Sequence, residues 1–390
     1  MSNKEDSDPN GIESGTEHIE EKSNICIVGV GDLGVSITGG INEKKMSGIE
    51  TIAISDDLKH LLTVKVDWKY YLDNGISRGF GVCTNPIIGE AAAKRDSEKI
   101  QELIKGKDLI FLITGLGGRI GSGAVPVIAE IARMQGSFLI TISTVPFGVE
   151  GKIRSDNARE TLKKLNAHPN TNIVIPLEAL SDAFRELNDR DIWEIYEENI
   201  YEKILVEIIT MIIEPVTRMW IKGTERDNLK SVLSEGGTAA MGIGGSESSG
   251  MEGLKEAAEE AVSSPLLVLD KTKSNESYVT VKNKLVKIHV PLSTLATNGA
   301  MISFSSGEEI NDNEVAEALK IIKNRIGENT KTTLFLSSNP TMKGEKMCLI
   351  LLMGQHFPLE PEEKSLEATN RTVLARYLNC GTEQHKEFHH

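Results

Sequence analysis

The sequence predicts an α/β protein: a Rossmann-like parallel-sheet domain, one long core helix, and a smaller α+β domain towards the C-terminus. Short apolar runs alternate with amphipathic helical stretches through the first half of the chain, the pattern of a parallel sheet with helices on both faces. A long 3.6-residue periodicity then runs from Trp193 to Trp220. Beyond it the order of strand and helix patterns changes. At 390 residues the chain exceeds what a single core ordinarily holds, so two domains with tails are expected.

Residues 1–23 are acidic and polar, with too little apolar surface to offset the entropy of ordering, and are read as a disordered tail. The parallel-sheet domain is placed at 24–192, with strands at Ile25–Val30, Thr51–Ser55, Asp108–Thr114, Phe138–Ser143 and Asn172–Ile175. The core helix, 193–222, carries Ile200, Ile204, Ile208, Met211 and Ile212 at helical spacing, and Pro215 is expected to kink or end it. The α+β domain, 223–356, follows. It has helices at Gly253–Val262 and Asn313–Ile326, and strands at Ser277–Val290, Ala300–Phe304, Thr333–Leu336 and Met347–Met353. Alternating apolar residues within 271–297 suggest an extra hairpin turning near Asn283-Lys284, or an extension of the existing sheet. The last segment, 357–390, is polar, with one amphipathic helix pattern at 366–378 that could offer Leu366, Val373, Leu374 and Tyr377 to a partner's groove.

Composition narrows the function. With 57 acidic against 43 basic residues and a net charge of −14, nucleic acid is a poor partner, since phosphate contacts need clustered positive charge. The most apolar run, Ile204 to Ile213, is interrupted by Glu207 and is about half the ~20 residues a membrane span requires. With no signal-peptide pattern at the start, the protein is expected in the cytoplasm. Cys26, Cys83, Cys348 and Cys380 lack paired spacing, so they are read as reduced thiols and no metal site is assigned.

Two glycine-rich loops carry the chemistry. The first strand runs into Gly29-Val30-Gly31-Asp32-Leu33-Gly34, where backbone amides and a helix start can approach a phosphate. Alone, this also fits a dinucleotide fingerprint, with Asp56 and Asp57 after the second strand to meet a ribose, so an NAD-dependent oxidoreductase is one alternative. The second loop, Gly115-Leu116-Gly117-Gly118-Arg119-Ile120-Gly121-Ser122-Gly123, follows another strand and leads into another helix. Dinucleotide folds need one phosphate loop, and the lysine-bearing P-loop pattern is absent. A glycine turn packed for shape alone is the remaining non-functional reading.

The second loop resembles the tubulin/FtsZ signature Gly-Gly-Gly-Thr-Gly-Ser/Thr-Gly through Gly117, Gly118, Gly121, Ser122 and Gly123. Further pieces match in order: Arg78-Gly79-Phe80-Gly81 with Asn85-Pro86, Ala129-Glu130-Ile131-Ala132, Pro146-Phe147 with Glu150 and Arg154, Val174-Ile175-Pro176, Met241-Gly242-Ile243-Gly244 and Ser264-Pro265-Leu266-Leu267. The similarity spans roughly 24–356 and is closer to FtsZ, so the chain looks like a divergent, archaeal-type FtsZ-like protein.

The resemblance implies a tubulin/FtsZ fold, GTP or GDP as ligand with Mg2+ as candidate metal, and head-to-tail polymerisation in cell division or a related cytoskeletal task. It places nucleotide-binding roles on Gly31, Asp32, Leu33, Gly34, Ser36, Asp57, Gly117, Gly118, Arg119, Gly121, Ser122, Gly123, Glu150, Arg154 and Glu202. Catalytic roles fall on Glu225, Asp227 and Asn228, in the loop that the neighbouring subunit would supply. Partners would be further copies of the chain, another FtsZ, and a membrane adaptor on the C-terminal tail.

Departures from the family pattern temper the activity. Asp32 puts a carboxylate beside the phosphate position, Arg119 and Ile120 replace a glycine and a threonine, and Leu177 replaces an asparagine of the base pocket. Glu198 and Glu202 stand where the family has a stacking phenylalanine and a guanine-binding aspartate, leaving Tyr201 or Phe184 to supply a stacking surface. The second acid of the catalytic loop is Asn228. Arg119 is read either as a new phosphate ligand or as the internal partner of Asp32, filling the anion site. Positive φ at position 119 would cost about 1–2 kcal/mol. The expected function is therefore a GTP-binding filament protein with weak or absent hydrolysis, or a nucleotide-free pseudo-GTPase that regulates or caps an active FtsZ filament.

Overall fold

The computed structural model describes residues 24–72, 84–168, 171–178, 200–223, 225–234, 237–267, 275–281, 284–290, 297, 299–338, 342 and 344–355. The tail at 1–23, the loop Arg78–Gly81, Phe184, Glu198 and the C-terminal segment 357–390 with its helix at 366–378 lie outside these residues.

Six strands, β1 (Ile25–Val30), β2 (Ile49–Ser55), β3 (Trp68–Tyr71), β4 (Leu109–Gly115), β5 (Phe138–Val145) and β6 (Thr171–Pro176), pair in parallel in the order β6-β5-β4-β1-β2-β3. They are Ile- and Val-rich, and β1 is buried throughout, as strands covered on both faces require. The sheet continues into the second half through β7 (Gly237–Ser246), which pairs in parallel with β6 at Thr171↔Gly237, Asn172↔Thr238 and Ile173↔Ala239. Beyond β7 come β12 (Lys346–Gln355) antiparallel to it, then β10 (Gly299–Ser306) and β11 (Lys331–Ser338), completing ten strands. Strands β8 (Asn275–Val281) and β9 (Lys284–Val290) form a separate antiparallel pair with Val281 opposite Lys284.

Helices α1 (Gly31–Glu43), α2 (Leu58–Thr63), α3 (Pro86–Arg95), α4 (Ser97–Leu103), α5 (Arg119–Met134) and α6 (Lys152–Asn166) flank the first six strands. The core helix α7 (Ile200–Ile221) buries Ile204, Leu205, Ile208, Ile209, Ile212, Ile213, Val216, Met219 and Trp220 in one cluster with residues from both halves of the sheet. After it come α8 (Arg226–Leu233), α9 (Gly250–Val262) and α10 (Asp312–Ile326). Pro215 lies inside α7 and does not end it. The loss of one backbone bond is outweighed locally by the burial of Val216, Met219 and Trp220 just beyond. Aromatic contacts fix the direction of α7. Tyr201 packs edge-on against Phe147, just past the end of β5, with ring centroids 6.4 Å apart, whereas Trp220 meets Phe138, the first residue of β5, at 5.3 Å. The helix therefore runs antiparallel to β5, from the carboxyl edge of the sheet to its amino edge.

Strand β7 is invisible to propensity because Gly242, Gly244 and Gly245 punctuate it, and glycine is depleted in strands. The cause is close packing: a Cβ on Gly244 would collide with the Ala257 carbonyl oxygen of α9, and one on Gly242 with that of Ala261. Gly244→Ala is expected to destabilise the protein by about 3 kcal/mol, the upper end of the usual overpacking cost, because the obstacle is helix backbone that cannot swing aside. Gly245→Ala, whose nearest neighbour would be 3.7 Å away, should cost far less. Urea denaturation of the two variants checks the contrast.

Candidate nucleotide site

The loops after β1, β2, β4, β5 and β6 gather at the carboxyl edge of the sheet, and the strand order reverses between β1 and β4. A crevice at such a switch point is where open α/β sheets take ligands. Both glycine loops flank it, and each opens a helix of 13 or more residues whose N-terminus carries no side-chain cap. The two helix starts thus keep amide donors and positive dipole ends for an anion.

Local geometry explains the glycines. Gly31 begins α1 at φ +73° and Gly117 turns the second loop at φ +99°, where a side chain would strain the backbone. A Cβ on Gly31 would sit 3.2 Å from the Gly121 amide nitrogen, so the two loops are in near contact. Gly34 packs against the Ile113 carbonyl, Gly121 against that of Gly115 and Gly123 against that of Pro86. These three serve packing, whereas a Cβ on Gly118, the residue before α5, would meet only Arg154 Nη2 at 3.9 Å. The Ser122 hydroxyl is buried and accepts from the Gly117 amide at 2.7 Å, so it braces the loop. Arg119 occupies the first turn of α5 with ordinary negative φ. The positive-φ cost considered for it does not arise, because Gly117 carries the turn.

Arg119 pairs with Asp56, not with Asp32. Asp56 follows β2 and reaches across the switch point, with side-chain exposures of 18% for the arginine and 9% for the aspartate. Burial pushes the Asp56 carboxyl up from its ordinary value, Arg119 pulls it down, and nearby Asp32 adds to the rise. Asp32 lies in the first turn of α1, where a carboxylate is favoured by the dipole, and accepts a hydrogen bond from Ser55 Oγ at 3.1 Å. Leu33 of the same turn packs on the first core cluster and borders Gly115. Arg119 Nε is buried and makes no hydrogen bond among the described residues.

Glu150 and Arg154 close another side. They form an ion pair at 2.9 Å, and Glu150 also accepts from the Phe147 amide at 2.8 Å. The Arg154 backbone and Cβ lie about 3 Å from the position of a Cβ on Gly117, which places this arginine against the second glycine loop.

At the far end of the crevice, Ser36 of α1 and His60 of α2 are hydrogen-bonded at 3.2 Å. Glu202, in the first turn described for α7, stands beside Ser36 and His60, one helical turn before the point where Val206 packs on Gly40 of α1. Burial raises the Glu202 carboxyl above its ordinary value, and His60 and Ser36 oppose that rise. Asp57 caps α2, accepting from the His60 amide at 3.1 Å. Leu177 is buried in the core and Tyr201 packs against Phe147.

Glu225, Asp227 and Asn228 stand at the opposite edge, past the other end of α7. Glu225 precedes α8 and lies 3.9 Å from Lys222, while Asp227 and Asn228 are exposed on the first turn of α8. Arg226 and Lys230 sit over the Trp220 ring at 5.5 and 4.8 Å. Among the described residues no cluster of three His, Cys, Asp or Glu side chains could cage a metal ion. A Mg2+ here would rely on nucleotide phosphates with one or two carboxylates. No described helix is long and apolar enough to cross a membrane.

Two residues of the site, Ser55 and His60, escaped the sequence reading, and Asp56 was read there as an acid for a ribose and not as the partner of Arg119. Only Asp56 had a visible signal, its place after the second strand.

Residues 24–185 match the model of the tubulin/FtsZ family, GTPase domain. Cell division protein FtsZ 1 of Pyrococcus horikoshii is 35% identical over 267 residues, 68% of this chain and 70% of the relative. Cell division protein FtsZ of Haloferax mediterranei is 28% identical over 337 residues, covering 86% and 81%. Among solved structures, an empty FtsZ dimer from M. jannaschii superposes with a TM-score of 0.71 at 27% identity, covering 90% of this chain and 95% of that one. CetZ2 from Haloferax volcanii reaches 0.64 at 17% identity, a likeness of fold, covering 93% and 100%.

Removing one member of the Arg119–Asp56 pair leaves a mostly buried charge unpaired. Arg119→Ala is expected to lower stability by about 3 kcal/mol, and Arg119→Ala with Asp56→Ala to recover much of it, as read by thermal denaturation. For Glu202 the sign is opposite. A raised carboxyl means that the folded chain holds the proton more tightly than the unfolded chain. Its stabilising contribution is present below the unfolded carboxylate pKa and is lost as pH rises through the folded value. The melting temperature of Glu202→Gln should therefore gain on wild type as pH rises above the ordinary carboxylate range.

Proposed function

The chain belongs to the tubulin/FtsZ family, and on that premise we propose that it binds a guanine nucleotide at the carboxyl edge of its sheet and assembles head to tail into filaments. The observation that carries this reading is the placement of α7. Its first turn presents Glu202 to the crevice, and its other end leads into Glu225, Asp227 and Asn228, with Glu202 and Ile221 about 30 Å apart at 1.5 Å per residue. One subunit cannot bring both sets to one nucleotide. Two subunits stacked along α7 can, which makes hydrolysis conditional on assembly.

Charge supports the same stacking. The amino edge bears Lys222, Arg226 and Lys230 against Glu225 and Asp227, while the carboxyl edge adds Asp32, Asp57 and Glu178 to the neutral pairs Arg119–Asp56 and Arg154–Glu150. Opposed charges steer association and fix its direction. In the crevice, Glu202 would accept from guanine N1–H and the 2-amino group. Arg119, with Nε still able to donate, and Arg154 would face phosphate oxygens.

Hydrolysis is proposed to be slow or absent. Asn228 cannot act as a base, and Glu225 lies beside Lys222. Water-orienting chemistry loses about a hundredfold for misplacements near 1 Å. One observation favours the second reading, a nucleotide-free regulator that joins or caps an active FtsZ filament: Asp32 already lies at the α1 N-terminus that a phosphate would use. Cell division in the cytoplasm is the process proposed, with a membrane adaptor engaging residues 357–390.

Chromatography of nucleotide released from the purified protein separates the readings. GTP or GDP is expected, and an empty protein would favour the regulator. Turnover and light scattering, alone and mixed with an active FtsZ of the same cell, should show assembly with little phosphate release. Asn228→Asp should raise the rate at least about tenfold if that acid is what the loop lacks. Deleting 357–390 should disperse the protein in the cell without preventing assembly in vitro.

A further inference from the structure

His60 has no role in the reading above, yet it sits where three elements converge. Its Nε2 lies 3.2 Å from Ser36 Oγ, and Ser36 stands beside Glu202, each one helical turn before the packed pair Gly40 of α1 and Val206 of α7. Ser36 has a single hydroxyl proton. If that proton goes to the carboxylate, the bond from His60 must run the other way, with Nε2–H donating to Ser36 Oγ. The order is then His60 Nε2–H to Ser36 Oγ, and Ser36 Oγ–H to the Glu202 carboxylate. The histidine is itself held, because its helix is capped by Asp57, which accepts from the His60 amide at 3.1 Å.

We propose that His60 is a positioning residue for base selection, acting through Ser36 to aim the Glu202 carboxylate at the Watson–Crick edge of guanine. This rests on the guanine-nucleotide reading of the crevice. A carboxylate with one lone pair committed to Ser36 keeps others for two donors side by side, the N1–H and 2-amino group of guanine. Hypoxanthine offers only the N1–H. Adenine presents an N1 lone pair, which a carboxylate repels. Without the relay the Glu202 side chain is free to turn, so both contacts weaken together. Glu202 is partly buried, and a hydrogen bond to a charged group in such a place is stronger than one in water. The groups facing the carboxylate from neighbouring elements are Ser36 of α1 and His60 of α2.

The test uses the full chain and isothermal titration with GTP, ITP and ATP. Wild type should prefer GTP over ITP and ATP. His60→Ala should weaken GTP about tenfold, the scale of one well-made hydrogen bond to a charged acceptor, while changing ITP and ATP less than about threefold. His60→Gln, whose amide can donate from a similar position, should restore part of the GTP preference, and Ser36→Ala should behave like His60→Ala. In Glu202→Ala, adding His60→Ala should change the GTP to ITP ratio no further, since the relay would then end on nothing. A GTP to ITP ratio unchanged in His60→Ala overturns the relay and leaves the nucleotide reading standing. Equal losses for all three nucleotides also overturn it, because a merely structural histidine would act that way. Failure of wild type to bind GTP overturns both.

Discussion

Burial of α7 is the constraint on which the rest of this structure depends. Nine of its side chains, from Ile204 to Trp220, enter a cluster that also contains Ile25 and Phe111 from the first half of the sheet and Met301 and Leu351 from the second. A helix apolar on so many sides has no stable place on a surface. Once it is buried, the helix fixes the relation between the two halves, because β6 and β7 share only three paired positions. It also sets the distance between the two polar ends of the molecule. Trp220 extends this control past the helix, since Arg226 and Lys230 lie over its ring and Arg226 Nε donates to its carbonyl at 3.1 Å. The start of α8 is thereby tied to the core.

Much of this was legible in the sequence where the signal was local. The strand expected at Ile25–Val30 appears with those bounds, because a strand buried on both faces reads as an unbroken apolar run. The glycine loops were legible for the same reason, as were α9 and α10, each within three residues at its start and exact at its end. Strand β7 was not, because its glycines answer to α9, an element further along the chain. Pro215 does not end the helix because its local cost is set against burial that no window around it reveals. The Asp56–Arg119 and Ser36–His60–Glu202 contacts were hidden in another way. They join residues 63, 24 and more than a hundred positions apart, and nothing in residue spacing encodes which of two neighbouring aspartates an arginine will choose.

The crevice has three aspartates close together, and each has a distinct local task. Asp32 meets the dipole of α1 and the Ser55 hydroxyl, Asp56 takes Arg119, and Asp57 caps α2. Such division of labour explains how this edge can tolerate so much negative charge: Asp32 and Asp57 are exposed to solvent, and Asp56, the least exposed of the three, is neutral as a unit with Arg119. Glu150 and Arg154 form a second neutral unit on the other side of the glycine loop. A nucleotide entering this crevice would meet paired charges and helix dipoles more than free ones.

The pairing of Arg119 with Asp56 also bears on how the site can change over generations. Each residue compensates a charge that the other would otherwise leave stranded, so neither can be replaced alone without a penalty. Among close relatives the two positions should accordingly drift together, opposite charges retained or both lost. Restoring a glycine at 119 would open the loop only in a background where position 56 had already become neutral. The pairing thus acts as a ratchet, holding the crevice in its present form.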